Sequence, residues 1–385
     1  MSDEALKTTS LTAAHRALGG RLVAFAGYQM PVQYPMGVLK EHLWTRERAG
    51  LFDVSHMGPA FLDVIARTGD EEANHAAVAA VIEPLVSGDI AGLKPGQLRY
   101  TLLLNREGGI VDDLMIGRPS SPGRQGRLYL VVNAGTKEAD FAAIAAAAGD
   151  RARLTRADDR ALIALQGPAA VEVLAPLLPG SADLSFMTFD RMTFEDHTLI
   201  VSRGGYTGED GFEILAPAMV AARFWNRLLA DERVAPVGLG ARDSLRLEAG
   251  LAHYGHDLDE TISPIEAGLA FAVSKRRRKA GDLRGAGRIA RELDGDLTRV
   301  RVGLRILEGA PAREGAEIID GAGAVVGHVT SGGFSPTLGA PIAMGYVPPA
   351  LATPGTRLNV LVRGKAQAAE VTALPFVPHR YRRAA

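Results

Sequence analysis

Residues 98–117 read LRYTLLLNREGGIVDDLMIG, two apolar runs joined by a polar turn. The runs are rich in residues that favour strands, and Gly108 and Gly109 supply the turn, so the stretch predicts a strand, a glycine turn and a strand. The second run also contains Asp112 and Asp113 side by side, although aspartate is depleted in strands. These two carboxylates are therefore candidates for a special role, either structural or catalytic.

The pleat of a strand separates the two aspartates. Successive side chains point to opposite faces, so Asp112 shares a face with Ile110 and Leu114, and Asp113 shares the other with Met115. The two therefore cannot form a proton-sharing pair with each other, and at most one of them enters any one pocket. Solvent, capping or turn contacts must satisfy the other. The spacing does not say which is which, and by itself it favours a structural role for both.

The segments around this hairpin predict an α+β body without a simple βαβ rhythm. Segments with helical spacing of apolar residues predict helices at residues 9–20, 38–50, 69–86, 136–148, 169–179 and 219–231. Apolar runs bounded by glycine predict further strands within residues 127–135, 161–168 and 197–217. The similarity between the two halves of this body is architectural, because no sequence repeat of fixed period is present.

From residue 299 onward the pattern changes. Short strands broken by glycine and proline are predicted within residues 299–307, 316–336, 341–348 and 357–374. This pattern favours a separate small β-barrel. Residues 274–296, which are rich in arginine and glycine, are predicted to be the linker between the body and the barrel.

Composition limits what this chain can do. It has 385 residues, 47% of them hydrophobic, and a formal net charge of -1, which argues against nucleic acid or an anionic membrane as a partner. It has no cysteine, so disulfides and thiolate nucleophiles are excluded. The N-terminal sequence MSDEALKTTS lacks the pattern of a secretory or transit signal, and no apolar stretch is long enough to span a bilayer. We therefore expect a soluble, cytoplasmic protein.

Other motifs leave alternatives open. Glycine motifs with the spacing that binds nucleotides are missing, so no bound nucleotide is expected. Residues 252–260, AHYGHDLDE, contain residue types that bind metals, but Gly255 and the three-residue spacing of the histidines favour a hydrogen-bonded loop, and no metal is expected. The basic run SKRRRK at residues 274–279 is either a solvated helix end or linker, or a docking patch for an acidic partner or ligand tail. In VSHMG, residues 54–58, core packing is expected for the histidine and the methionine.

Several segments together form a family pattern. In chain order they are FDVSHMG, NREGGIVDDLMIG, LVVNAGTKEAD, LIALQGP, GGYTGEDGFEI, GLGARDSLRLEAGLAHYGHDLDE followed by TISPIEAGL, and VTSGGFSPTLGAPIAMGYV. On these segments the chain resembles the aminomethyltransferases, or T-proteins, of the glycine cleavage system. The resemblance runs from Thr8 to Tyr381, and GYTGEDGFEI and GLGARDSLRLEAG are its specific parts.

The resemblance implies a fold and a reaction. The fold is an α+β, three-domain cloverleaf with a folate-binding body at residues 8–279, made of two domains that interleave in sequence, and a C-terminal Greek-key barrel at residues 298–381. The reaction takes an aminomethyl group from the dihydrolipoyl arm of the lipoylated H-protein, releases ammonia and forms 5,10-methylenetetrahydrofolate. Tetrahydrofolate is then the co-substrate and the H-protein is the partner, with the P- and L-proteins in the wider system.

The resemblance also implies site residues. Asp112, the first aspartate of the pair, is implied to be the catalytic carboxylate that faces the folate, which leaves Asp113 with a structural role. Glu213 is implied to accept hydrogen bonds from the pterin, and Arg242 to bind the carboxylate tail of the folate. The remaining pocket positions that the resemblance implies are Tyr381, Met57, Tyr100, Asn133 and Tyr206.

These residue types suit a reaction without a covalent enzyme intermediate. Expulsion of ammonia leaves a cationic centre, which an anionic Asp112 would stabilise while it helps to move a proton. An enzyme nucleophile is not needed, in agreement with a chain that lacks cysteine. The alternatives on the same fold are a folate-dependent demethylase, which would act without H-protein, and a non-catalytic folate-binding protein. The presence of Asp112, Glu213 and Arg242 together favours the enzyme.

Overall fold

The computed structural model describes residues 5–384. The expected lack of a targeting signal rests partly on the first four residues, which lie outside the described residues. The helices within this range are α1 (Thr12–Ala17), α2 (Val38–Glu47), α3 (Glu71–Ile82), α4 (Lys137–Ala148), α5 (Ala170–Leu174), α6 (Ala218–Leu229), α7 (Leu239–Glu248), α8 (Lys275–Ala280) and α9 (Ala286–Leu293). Each of them is too short or too polar to cross a membrane.

The strands of the body and of the barrel follow one another along the chain. Those of the body are β1 (Arg21–Phe25), β2 (Tyr28–Gln33), β3 (Ala49–Asp53), β4 (Gly58–Val64), β5 (Leu98–Leu104), β6 (Ile110–Gly117), β7 (Arg127–Val132), β8 (Ala152–Arg156), β9 (Arg160–Gln166), β10 (Thr188–Phe194), β11 (His197–Arg203), β12 (Gly211–Pro217) and β13 (Val234–Pro236). Those of the barrel are β14 (Val300–Ile306), β15 (Glu317–Ile319), β16 (Val325–Ser335), β17 (Ala340–Val347), β18 (Arg357–Val362) and β19 (Lys365–Thr372).

The body contains two large sheets and the two-stranded sheet β1-β2. The first has the strand order β5-β6-β7-β4-β8, and the second has the order β10-β11-β12-β9-β3-β13. Strand β3 belongs to the second sheet although it precedes the whole first sheet in sequence, so the two units interleave as predicted. The hairpin predicted from residues 98–117 is confirmed as β5 and β6, which lie at the edge of the first sheet.

Helices cover the outer face of each sheet. In α6, Val220, Phe224, Trp225 and Leu228 recur at helical spacing and are buried against the second sheet. Helix α3, which is capped by the Asp70 carboxylate, packs with α4 on the first sheet. The inner faces of the two sheets turn toward each other and share a core formed by residues that include Phe52, Leu98, Tyr129, Val131, Leu162, Ile200 and Leu215. Polar groups on these inner faces are therefore held between two rigid layers.

The C-terminal strands close into a barrel with the order β14-β17-β16-β15-β18-β19, and β14 also pairs with β19. Strands β15, β16 and β17 form consecutive hairpins. The last of them, β17, pairs with β14, the first strand of the barrel, and this is Greek-key connectivity. The predicted α+β cloverleaf with a C-terminal Greek-key barrel is confirmed.

Residues 274–296, predicted to link the body to the barrel, are folded. They form helices α8 and α9, and Leu283 and Ile289 are buried beside Leu102 and Ile110 of the hairpin. The high charge of the segment masked these two apolar anchors. In addition, helix α2 ends at Glu47, before the predicted Gly50, because the chain then enters β3.

The basic run at the start of this segment is partly used inside the fold. Arg276 forms ion pairs with Glu83 (2.6 Å) and Asp89 (2.8 Å). Arg277 is buried and donates to the Glu83 backbone oxygen (2.8 Å) and to the Asp282 carboxylate (2.6 Å). These two arginines therefore fix α8 on the body and are not free for a docking patch.

The AHYGHDLDE segment forms a hydrogen-bonded loop between the body and the barrel. The buried Asp257 carboxylate accepts hydrogen bonds from Arg246 Nη1 (2.9 Å) on α7 and from Ser331 Oγ (2.8 Å) on β16. Its second oxygen accepts a hydrogen bond from the Thr330 hydroxyl (2.5 Å). The loop thus ties the helix that carries Arg242 to the barrel.

The glycine turn before β6 is fixed by a close backbone contact. A Cβ atom at Gly109 would lie 1.7 Å from the backbone oxygen of Glu260, which itself accepts a hydrogen bond from Asn105 Nδ2 (2.9 Å). Gly109→Ala must therefore displace a packed loop, and we expect the free energy of unfolding to fall by about 1–3 kcal/mol. Gly69→Ala is the matched control, because nothing lies within 4 Å of its Cβ position. Equal denaturation midpoints in urea for the two variants would contradict the expectation.

Candidate active site

The structure reverses the faces predicted for the two aspartates of β6. Asp112 is fully buried on the outer face, where Leu114 and Ile116 pack under the helices of the first sheet. Asp113 is only half-buried and lies on the inner face with Met115, which packs between the two sheets. The prediction that Asp112 faces the central site and that Asp113 does not is therefore wrong. The motif identified the pair, but only the burial of each face shows which carboxylate is accessible.

Asn133, which follows β7, joins the two aspartates despite their opposite faces. Its Nδ2 donates to Asp112 Oδ1 (2.8 Å), to Asp113 Oδ1 (2.8 Å) and to the Asp113 backbone oxygen (3.0 Å). Its backbone N–H donates to Asp112 Oδ2 (3.1 Å). Strand alternation does not predict that one residue contacts both aspartates. Asn133 can do so because it follows the end of β7, where its side-chain amide contacts side chains from both faces of β6.

Tyr100 on the neighbouring strand β5 completes the surroundings of Asp113. Its hydroxyl lies close to the Asp113 carboxylate, and the two side chains influence each other's pKa. Its ring stacks on Phe271, with 6.0 Å between ring centroids and 26° between ring planes, and Phe271 is 74% exposed. Tyr100 therefore lies between Asp113 and an exposed edge of the site.

Glu213 and Arg242 form a second polar group on the inner face of the second sheet. Glu213 lies on β12, and the Arg242 guanidinium from α7 faces it across the gap. The Arg242 guanidinium also packs over the Tyr206 ring at 4.9 Å from the centroid. Within residues 5–384, Arg242 Nη1 is buried without a hydrogen-bond partner. This group therefore offers an acceptor on one sheet and an unused donor on the helix that faces it.

Tyr206 connects the two polar groups. Its hydroxyl donates to the Ala252 backbone oxygen. Burial raises the pKa of this hydroxyl, the Asp113 charge raises it further, and the Arg242 charge lowers it. Met57 packs in the inter-sheet core with Met115, which shares the inner face of β6 with Asp113. The predicted residues that gather around the inner faces of the two sheets are thus Glu213, Arg242, Tyr206, Tyr100, Asn133 and Met57.

Tyr381 lies in a different environment from these residues. Its ring stacks on Phe186 at 4.1 Å and lies 4.9 Å from the His379 ring, and its neighbours include Gly208 and Arg46. The contacts of Tyr381 are thus with the end of the chain and with the turn after Tyr206, not with the Glu213–Arg242 group.

His56 is a site residue that the sequence reasoning missed. It was expected to pack in the core, and it is indeed buried, but its Nδ1 has no hydrogen-bond partner within residues 5–384. Burial, together with the charges of Arg242 and Lys137, lowers the pKa of His56 to about 4, against the opposing effect of Asp53. A neutral imidazole therefore lies close to Arg242. The only sequence signal was its position next to Met57.

The surroundings of the carboxylates tune their protonation. Burial and the neighbouring Asp112 together raise the pKa of Asp113 to about 7, although the neighbouring Tyr100 and Asn133 side chains oppose the shift. Burial also raises the pKa of Glu213, whereas Arg242 lowers it. A carboxyl group that titrates near neutral pH suits proton transfer, and an acid–base pair beside it suits recognition of a polar heterocycle. In the part of the chain that the structure describes, no group of three or more His, Cys, Asp or Glu side chains is placed to hold a metal ion.

Comparisons with known proteins agree with this architecture. Residues 11–277 match the GCVT N-terminal domain, and residues 299–378 match the glycine cleavage T-protein C-terminal barrel domain. The chain is 46% identical to the mitochondrial aminomethyltransferase of Gallus gallus over 386 residues, which cover 98% of this chain and 94% of the relative. It is 40% identical to that of Dictyostelium discoideum over 400 residues, which cover 99% and 95% of the two chains.

A solved structure gives the same result. The crystal structure of glycine cleavage system aminomethyltransferase T from Bartonella henselae superposes with a TM-score of 0.90 at 43% sequence identity, covering 98% of this chain and 100% of that one. With both domain models matched and relatives similar along their full length, the chain belongs to the aminomethyltransferase (T-protein) family of the glycine cleavage system.

Proposed function

We propose that this aminomethyltransferase uses tetrahydrofolate as its co-substrate and takes its aminomethyl group from the dihydrolipoyl arm of a lipoylated H-protein. The observation that supports this best is the Glu213–Arg242 group on the inner face of the second sheet. A pterin edge carries N–H donors beside a carbonyl acceptor. The Glu213 carboxylate can accept from the donors, and the partnerless Nη1 of Arg242 can donate to the carbonyl.

This reading changes the role of Arg242. From the resemblance, Arg242 was expected to bind the carboxylate tail of the folate. The guanidinium packs over the Tyr206 ring and faces Glu213 between the sheets, where a ring would lie rather than the distal tail. We therefore assign Arg242 to the ring end together with Glu213, and the tail is left to other groups.

We assign the catalytic carboxylate to Asp113 instead of Asp112. Transfer breaks the bond between the methylene carbon and the departing ammonia, forms bonds from that carbon to the N5 and N10 atoms of the folate, and breaks the bond to sulfur. The two folate nitrogens lose two protons, and ammonia and the thiol gain them. An anionic Asp113 stabilises the cationic methylene centre and can accept one of these protons. Asp112 cannot do so because its carboxylate is sealed on the opposite face.

The direct test is ammonia release on mixing the enzyme with aminomethylated H-protein, with and without tetrahydrofolate. Release that depends on both substrates supports the proposal. A demethylase would instead convert a methylated substrate without H-protein, and a folate-binding protein without catalysis would bind tetrahydrofolate and release nothing. A cytoplasmic location stays a prediction from the sequence.

The reaction should lose rate in acid because Asp113 must be anionic. Its raised pKa of about 7 means that the carboxylate gains a proton as the pH falls through neutrality. We expect kcat/KM to fall about tenfold per pH unit below that value. The limb should persist in Glu213→Gln and be absent from the residual activity of Asp113→Asn. A profile that stays flat down to about pH 5 would contradict the role of Asp113 as a base.

A further inference from the structure

A second carboxyl group lies behind the site, and the chemistry above does not use it. Asp140, in the first turn of α4, is 1% exposed, and Asp112 beneath it is 0% exposed. Within residues 5–384, neither carboxyl oxygen of Asp140 has a well-formed hydrogen bond, because the nearby Thr136 hydroxyl donates to the Asn133 backbone oxygen (3.4 Å). The carboxyl groups of Asp140 and Asp112 lie within hydrogen-bond reach of each other. Asp140 thus meets a second carboxyl group where a conventional donor would be expected, whereas Asp112 also accepts hydrogen bonds from Asn133.

Two buried carboxylates in contact cannot both be ionised, because repulsion and desolvation both oppose the second charge. A single proton between them removes the repulsion and supplies the missing hydrogen bond. We propose that Asp112 and Asp140 share one proton, and that this carboxylic pair positions Asp113 through the amide of Asn133. The proposed pair thus joins the first aspartate of β6 to a residue on α4 and does not involve its sequence neighbour Asp113.

The contacts show how the pair acts on Asp113. Asp112 accepts from both the backbone N–H and the Nδ2 of Asn133 (3.1 and 2.8 Å), which orients the amide so that it also donates to Asp113 Oδ1 (2.8 Å). One shared proton lets Asp112 keep its role as acceptor without placing a full second charge behind Asp113. Asp112 and Asp140 are positioning residues in this arrangement, because neither reaches the inner face.

The other groups around these carboxyls do not supply a compensating positive charge. Tyr100 from β5 and Tyr206 from the loop before β12 face Asp113, and Tyr254 faces Asp112 and Asp140. Lys137, on the same helix as Asp140, is turned away and donates to the Tyr28 hydroxyl (2.7 Å) and to the His56 backbone oxygen (2.9 Å). Burial accordingly raises the pKa of both Asp112 and Asp140.

The first test counts protons and does not require catalysis. The carboxyl group loses its proton at a pKa of about 4 in the unfolded chain but keeps the shared proton to a higher pH in the folded chain. The free energy of unfolding should therefore fall as the pH rises between these two pKa values. Asp112→Asn and Asp140→Asn should each reduce this decline by about one proton, because the remaining carboxylate then accepts from the new amide. Asp150→Asn, at an exposed position, is the control and should keep the wild-type slope. Wild-type slopes in both pair variants would overturn the proposal.

The second test rests on the proposed role of Asp113 and reads the acid limb of kcat/KM. In Asp140→Asn the whole negative charge falls on Asp112, directly beside Asp113. This charge should raise the pKa of Asp113, so the acid limb should move to higher pH. In Asp112→Asn the charge stays on the more distant Asp140, so the limb should move to lower pH. General destabilisation cannot shift the limb in opposite directions, and shifts of the same sign would overturn the positioning role. If Asp113→Asn proved fully active, the proposed function would fail, while the proton count would still decide the shared proton.

Discussion

Replacing Asp113 with asparagine should lower the rate of aminomethyl transfer by about 10²–10⁴-fold, measured as tetrahydrofolate-dependent ammonia release from aminomethylated H-protein. The amide keeps the size of the side chain and a hydrogen-bond acceptor for Asn133. It removes the negative charge that faces the inter-sheet gap and the site that accepts a proton. The rate loss should therefore exceed any change in the affinity for either substrate.

Asp112→Asn is the matched comparison, because it makes the same chemical change one residue away on the buried face. Each variant should be assayed at its own optimal pH, since Asp112 influences the protonation of Asp113. We expect Asp112→Asn to keep most of the wild-type rate there. A severe loss in Asp112→Asn with near-normal turnover in Asp113→Asn would return the catalytic role to the first aspartate and refute the assignment made from burial.

The second large effect is expected on co-substrate binding. Glu213→Gln should weaken the binding of tetrahydrofolate by about 1.5–3 kcal/mol, or about 10- to 150-fold in Kd, because an uncharged acceptor replaces a charged one. The substitution also leaves Arg242 without the carboxylate that faces it, so part of the guanidinium charge is uncompensated. Titration calorimetry with the reduced folate measures the change directly.

The control for Glu213 is Glu232→Gln, an isosteric change at an exposed position. It should bind tetrahydrofolate as the wild type does. Unfolding curves must show that Glu213→Gln is folded at the temperature of the titration. If a folded Glu213→Gln variant binds with wild-type affinity, Glu213 does not contact the ring, and the assignment of Arg242 to the same end of the folate loses its basis.

Several parts of the fold were accessible from local sequence because they depend on local chemistry. The hairpin β5–β6 follows from two apolar runs and a Gly-Gly turn, and α6 follows from the spacing of Val220, Phe224 and Leu228. Family motifs were sufficient to place Glu213, Arg242, Tyr206 and Tyr100 in one site. The packing of residues 274–296 on the body was not predicted, because its two buried apolar anchors, Leu283 and Ile289, are few in a segment of high charge.

The sequence by itself determined that this chain is a T-protein-type α+β body with a C-terminal barrel, and that one of two adjacent aspartates is special. Only the tertiary structure decided which one. Alternation along β6 requires that Asp112 and Asp113 face apart, but the side that receives helices depends on how α3 and α4 pack, which no local pattern records. The same packing brings Asp140 from α4 to Asp112 and gives the buried aspartate its partner. Strand periodicity is a local property, whereas burial is a property of the assembled sheets.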